Sequence, residues 1–405
     1  MELTLKRLIA AAAMALCLPL SALAGFPEGL EAAEKGDYLA ALSHWQPLAA
    51  EGQAAAQFNL GLMYETGKGV PKDAAQAVAW YRKAADAGYA RAQNNLAVML
   101  ARGDGVAKDD ILAVSWYRKA AEQGEVDAQY NLGQRLLNGR GAAKDERQAA
   151  VWLGKAADAG DAPAQFAIGQ LHATGRGVER DEGAAIKWYT MAAEQGERNA
   201  QYALGVAHAN GRGVPRSDAQ AVVWYRKAAE SGHALAQNNL GFRYQSGRGV
   251  ERNETLAAEW YRRAAMQGYA NAQFNLGVLY GAGRGVPKDV VQEVLWYSKA
   301  AAQGLAEAQY NMAVMFASGQ HVPKDLDQAL TLYRKAADQG HANAQNNLGA
   351  MYEAGEGVAA NRDEALKWYR LSAAQGNEWG VRNLAKMTGG PRPMDTMSAS
   401  TGAAE

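Results

Sequence analysis

A tryptophan recurs at a spacing of 36 residues, at Trp80, Trp116, Trp152, Trp188, Trp224, Trp260, Trp296 and Trp368, with Leu332 the one break in the series. The residues around it recur in the same register. The segment Ala56–Gly88, AQFNLGLMYETGKGVPKDAAQAVAWYRKAADAG, returns without insertion or deletion up to Gly376. A fixed period of this length means that one small supersecondary unit is stacked many times, because a single unit cannot bury its own apolar stripe.

Each unit reads as two helices joined by a defined turn. In the first helix, placed at about Gln53–Thr66, Ala56, Leu60 and Tyr64 fall four residues apart on one face. Gly67 ends it, and the turn GKGVPK uses Gly67 and Gly69 for positive φ. The second helix opens on Asp73, with Asp109, Asp145, Asp181, Ser217, Asn253, Asp289, Asp325 and Asn361 at the equivalent positions, all side chains suited to capping free N–H groups. Gln76, Gln148, Gln220, Gln292, Gln328 and Glu364 follow three residues later and predict capping boxes. The apolar set Ala74, Ala77, Val78, Tyr81, Ala84 and Ala85 predicts the buried face, with the tryptophans assigned to the core beside it. Gly88 and its equivalents end the second helix in all nine units. At ~10 Å per helix spacing, the stack predicts a contour on the order of 100 Å.

The string A-x-x-x-L-G-x-x-Y-x-x-G-x-G-V, then D, then W-Y-x-K-A-A-x-x-G resembles the Sel-one-like repeat family, a relative of the tetratricopeptide repeat. The resemblance spans residues 53–376 as nine repeats. It implies an all-α fold, a right-handed α-solenoid or superhelix of stacked helix-turn-helix repeats, that acts as an adaptor for other proteins. Bacterial members of this type are often exported and work in envelope assembly, host contact or signalling.

Outside the repeats, residues 1–24 read as a cleavable signal peptide. Lys6 and Arg7 form the basic start, Leu8–Leu20 an apolar stretch, and Ala22-Leu23-Ala24 the cleavage signal. The apolar stretch is short for a bilayer span, so no transmembrane segment is expected after cleavage. Cys17 is the only cysteine; Leu16 before it disfavours lipidation, and its loss with the leader leaves no disulfide chemistry. Residues 25–52 form an irregular, tetratricopeptide-like helix pair, with a short helix near 30–35 and a longer one after Gly36-Asp37. Residues 377–387 repeat a first helix and close the stack, and residues 388–405 read as a disordered tail. The chain carries 42 basic and 42 acidic residues. Removing Lys6, Arg7 and Glu2 leaves 40 against 41, a net charge of −1, without the basic excess that nucleic acid would require.

No motif specifies catalysis, a cofactor or a metal. The recurring GxGV lacks the GK[ST] ending of a phosphate-binding loop and fits a turn. No S-x-x-K motif supports a cell-wall-active hydrolase. His44 and His321 stand isolated, and His233 and His341 follow a helix-ending glycine, where exposure is expected. His172 and His208 replace Tyr64 in adjacent units, at a repeat spacing of ~10 Å that is wide for one metal ion.

One polar series remains. Asn59, Asn95, Asn131, Asn239, Asn275, Asn311, Asn347 and Asn383 each precede the first-helix leucine or its equivalent. In the resembling tetratricopeptide pattern this position lines the concave groove, and an amide offers a donor and an acceptor for a peptide backbone. The alternative is a structural ladder from repeat to repeat. Ala167 and Ala203 interrupt the series in the two units that carry His172 and His208, which marks those units as locally specialised, as a hinge or a distinct ligand position.

These readings favour a periplasmic or secreted scaffold, not an enzyme, that holds a protein or peptide partner. The alternative is a binder or assembly factor for an envelope glycan such as peptidoglycan or exopolysaccharide. Cleavage after Ala24 predicts that the intact mass of the mature protein corresponds to a chain starting at Gly25, and a mass retaining residues 1–24 would refute export by this signal.

Overall fold

The computed structural model describes residues 25–389, which form 21 α-helices and no strand. The expected leader, with Cys17, and the residues after Gly389 lie outside the described residues. Two compact units make up the structure, one up to Ala200 and one from Gln201 onward, and each is a run of α-solenoid.

The entry pair is α1 (Phe26–Glu34) and α2 (Tyr38–Ala50). Helix α1 starts four residues before the expected Leu30. Pro27 sits in its first turn, where a missing N–H costs nothing, and Gly25 N donates to Glu28 Oε2 at 2.8 Å. Phe26 is thereby buried against Trp45, with ring centroids 6.2 Å apart. Nine pairs of 13-residue helices follow, the first being α3 (Ala54–Thr66) and α4 (Ala74–Asp86) and the last Ala342–Ala354 and Arg362–Ala374. A final helix, Glu378–Thr388, packs on that last pair.

All nine expected caps form: each Asp, Ser or Asn side chain accepts from N–H groups in the first turn of its second helix, as Asp73 does from Ala75 and Gln76. The expected capping boxes do not close. Their return bond needs the cap residue's own N–H, and that group is already committed to the first helix: Asp73 N donates to Tyr64 O at 2.9 Å, and Asn361 N to Tyr352 O at 2.9 Å. The freed side chains turn elsewhere, Gln292 and Glu364 accepting from the Trp296 and Trp368 indoles at 3.1 Å. Each second helix leaves through a left-handed glycine; at Gly88, Tyr89 N reaches Ala84 O and Gly88 N reaches Ala85 O.

The turn glycine is also a packing requirement. At Gly285, φ is +69° and a Cβ would lie 2.1 Å from the Glu254 carbonyl oxygen of the preceding repeat, so a side chain there would push neighbouring repeats apart.

Tyrosine, rather than tryptophan, is the core aromatic. Tyr81, Tyr261 and Tyr369 are at most 1% exposed, packed against first-helix glycines such as Gly61 and Gly349. Most of the tryptophans are only half-buried, contrary to expectation, and the Trp80 and Trp116 rings carry a cation one turn on, Lys83 at 4.1 Å and Lys119 at 4.0 Å. Ala74 is likewise half-buried, since it faces the next repeat's turn rather than the centre.

Within each compact unit, repeats are joined by buried glutamines whose role the sequence pattern does not mark. Gln57, Gln93, Gln129 and Gln165 in the first unit, and Gln237, Gln273, Gln309 and Gln345 in the second, are no more than 7% exposed. Each side-chain N–H donates to a carbonyl near the C-terminal end of the preceding second helix, at 3.0–3.2 Å. Where glutamine also stands thirty residues on, its amide donates to the first one's oxygen, as Gln303 does to Gln273 at 2.7 Å. In the first repeat that position is Ala87, and the buried Gln57 Oε1 finds no protein donor.

Replacing Gln273 by Ala leaves the Ala265 carbonyl and the Gln303 amide short of a partner and is expected to cost about 1–3 kcal/mol in urea unfolding. The converse change, Ala87→Gln, supplies the missing donor and is expected to add about 0.5–1.5 kcal/mol.

Candidate functional site

The first helices expose one row of polar positions, and the asparagine series occupies it. Except for the buried Asn59, these residues are half-buried. Their amides are engaged between repeats. Asn131 donates to Asn94 Oδ1 at 3.1 Å, Asn275 to Asn238 Oδ1 at 3.1 Å, and Asn383 to Asn346 Oδ1 at 2.8 Å. Each acceptor belongs to an Asn-Asn doublet, and its own amide points to its neighbour: Asn94 to Asn95, Asn238 to Asn239, Asn346 to Asn347. The doublets are visible in the sequence but their role is not, because it depends on which residues the stacking places side by side.

The remaining amides meet tyrosine hydroxyls from the preceding repeat. Asn347 Nδ2 donates to Tyr333 Oη at 3.1 Å, and Asn95, Asn239 and Asn311 pair with Tyr81, Tyr225 and Tyr297. Burial pushes the Tyr297 and Tyr333 phenols up to about 12, with the asparagine bonds acting the other way. These tyrosines stay protonated across the physiological range and serve as fixed hydrogen-bonding groups. Asn59 differs: it lines a cavity of about 30 Å³ with Tyr38, Trp45 and Met63, where the entry pair meets the first repeat.

The specialised positions are distributed over both units. In the first unit Ala167 is buried, and His172 is half-buried with Nδ1 enclosed and unpartnered. In the second unit Ala203 is half-buried, and His208 Nδ1 is likewise enclosed. Both histidines still pass their backbone carbonyls to the cap residues Asp181 and Ser217, as Tyr64 does to Asp73.

Three other histidines correct the sequence expectation. His233 and His341 are half-buried N-caps, with Nδ1 accepting from Ala236 and Ala344 at 3.2 Å and the rings stacked on Tyr202 and Tyr310 at 4.5 and 4.6 Å. His321 is not isolated. It stands at a turn-glycine position with φ of 70°, and its Nδ1 lies 3.3 Å from Glu293 Oε2. Glu293 replaces the small alanine of the other second helices, and Gly281 leaves the room for it: a Cβ there would lie 2.3 Å from the carboxylate.

The Sel1 repeat pattern matches nine consecutive segments: 54–89, 90–125, 126–161, 162–197, 198–233, 234–269, 270–305, 306–341 and 342–377. The chain belongs to the Sel1 repeat family. Sel1 repeat proteins generally mediate protein–protein interaction and are typically non-enzymatic. Among solved structures, the chain is similar to a protective antigen with an SLR fold present in uropathogenic Escherichia coli strains. The two share 32% identity and a TM-score of 0.66, over 94% of this chain and 90% of that one. A Sel1 repeat protein from Oxalobacter formigenes is similar at 34% identity and a TM-score of 0.59, covering 76% and 89%. DAP3-binding cell death enhancer 1 of Rattus norvegicus is 46% identical over only 50 residues, 12% of this chain and 10% of the relative. No helix among the described residues is long and apolar enough to cross a membrane.

The Asn238–Asn275 bond gives the ladder a quantitative test. In a double-mutant cycle of Asn238→Ala and Asn275→Ala, a stability coupling of about 0.5–1.5 kcal/mol is expected. Additive effects would show that this bond contributes nothing to repeat stacking.

Proposed function

We propose that this Sel1 repeat protein is an exported scaffold that holds a protein or peptide partner along the exposed face of its first helices. The observation that carries the reading is the row of half-buried amides, each oriented by a bond to a neighbouring repeat. Preset donors and acceptors spare a ligand the cost of ordering them, and several weak contacts in series can hold an extended backbone. Export rests on the leader-like residues 1–24, and the periplasm or the cell exterior is where the partner is met. An envelope component carrying a peptide portion fits the same face.

A photo-crosslinking residue at position 275, introduced into the full chain in its own cell, is expected to give a discrete protein adduct. The same residue at position 291, where Val291 is 75% exposed on a second helix, is expected not to. Equal labelling at both positions, or retention on purified cell-wall sacculi without any protein adduct, would overturn the scaffold reading in favour of the glycan one.

A further inference from the structure

Three residues of the fourth repeat meet in one cavity. Ala167 stands where the asparagine series would place an amide, Ala173 stands sixteen residues before Tyr189, and Tyr189 itself lines the same space of about 270 Å³. In three repeats the residue sixteen before the core tyrosine bonds to its hydroxyl: Tyr81 to Glu65, Tyr261 to Gln245 and Tyr369 to Glu353. Ala173 offers no such acceptor, and the Tyr189 hydroxyl makes no hydrogen bond within its unit, with the residue 8% exposed. Burial pushes its phenol up to about 12. The cavity thus lies between two small side chains and a mostly buried tyrosine whose hydroxyl is left without a protein partner in its unit.

We propose that this cavity receives one tyrosine side chain of the partner; this rests on the scaffold reading above. Its volume falls just below the ~300–1,000 Å³ of sites for drug-sized ligands, so it suits a single large side chain. Leu137, Ala167 and Ala173 supply apolar wall, which a ring covers well. A cationic guest is disfavoured. The one cation at the edge, Arg176, shares Glu146 with Lys144, each at 2.9 Å, so an incoming cation would lose water without gaining a counter-ion. A purely apolar guest would leave the Tyr189 hydroxyl unpaired, whereas a phenol can reach it as donor or acceptor. Gln134 and Gln170 at the rim are placed for the guest's backbone.

The test uses the full chain with N-acetyl-tyrosinamide and N-acetyl-phenylalaninamide as probes, read by calorimetry or ligand-observed NMR. The tyrosine probe is expected to bind saturably, about three- to tenfold tighter than the phenylalanine probe, the range set by one net hydrogen bond. Tyr189→Phe is expected to erase that preference without changing the melting temperature. Ala167→Asn introduces the side chain that most other repeats carry, and is expected to weaken both probes at least about tenfold while the fold is retained. Probe binding indifferent to Ala167→Asn, a preference that survives Tyr189→Phe, or competition by chitobiose where the tyrosine probe fails would overturn the proposal. If the pocket fails while crosslinking at position 275 persists, the scaffold reading stands alone; probe binding with no crosslinked protein would instead sink the scaffold reading.

Discussion

The position of each repeat depends on one buried amide. A glutamine in the first turn of the first helix reaches back to a carbonyl near the end of the preceding second helix, where backbone acceptors begin to run out of intrahelical donors. The bond is enclosed, so leaving it unmade would strand polar groups away from water, and misregistered stacking is penalised at each joint that carries it. The alanines around it, such as Ala84, Ala85 and Ala92, are almost fully buried and keep helix surfaces low enough for the amide to span the gap. Close approach and a fixed anchor together give neighbouring repeats within each compact unit a single relative placement.

From that placement the rest of each unit follows. The cap residue's N–H is held by the first helix, the turn glycine lies against the preceding repeat's backbone, and the core tyrosine rests on a helix glycine. Contacts are local in sequence, so stability is close to a sum over repeats and their joints. Local departures are therefore tolerated. Glu293, Gly281 and His321 change together at one joint, and Ala167, in place of asparagine, borders a cavity in another repeat. Because an array of this kind does not rely on one central core, individual repeats can be given over to recognition.

The first-helix amides show how such a face is prepared. Bonds from Asn131, Asn275 and Asn383 to the preceding repeat fix side-chain rotamers that would otherwise be free. The cost of ordering them is met during folding rather than on binding. The same bonds that steady the stack thus orient the surface offered to a ligand, so structural and binding roles for these asparagines are compatible.

Much of this was legible in the chain itself. Asp73 and its equivalents, Gly67, Gly69 and Gly88 are dictated by local backbone chemistry, which reads the same in sequence as in space. The break in the asparagine series at Ala167 was visible for the same reason: a period exposes its own exceptions. What the sequence could not decide were pairings that exist only once repeats are stacked. The capping glutamines lost their backbone partner to Tyr64 and its equivalents, the tryptophans gave the core to tyrosine and took a lysine outside, and His321 found Glu293. Ala173 acquires meaning only because Tyr189 lies across from it, sixteen residues on in a different helix. Sequence determined the helices, caps, turns and period, since these arise within a few residues; tertiary structure alone decided which buried polar groups meet, since that depends on the close approach of neighbouring helices.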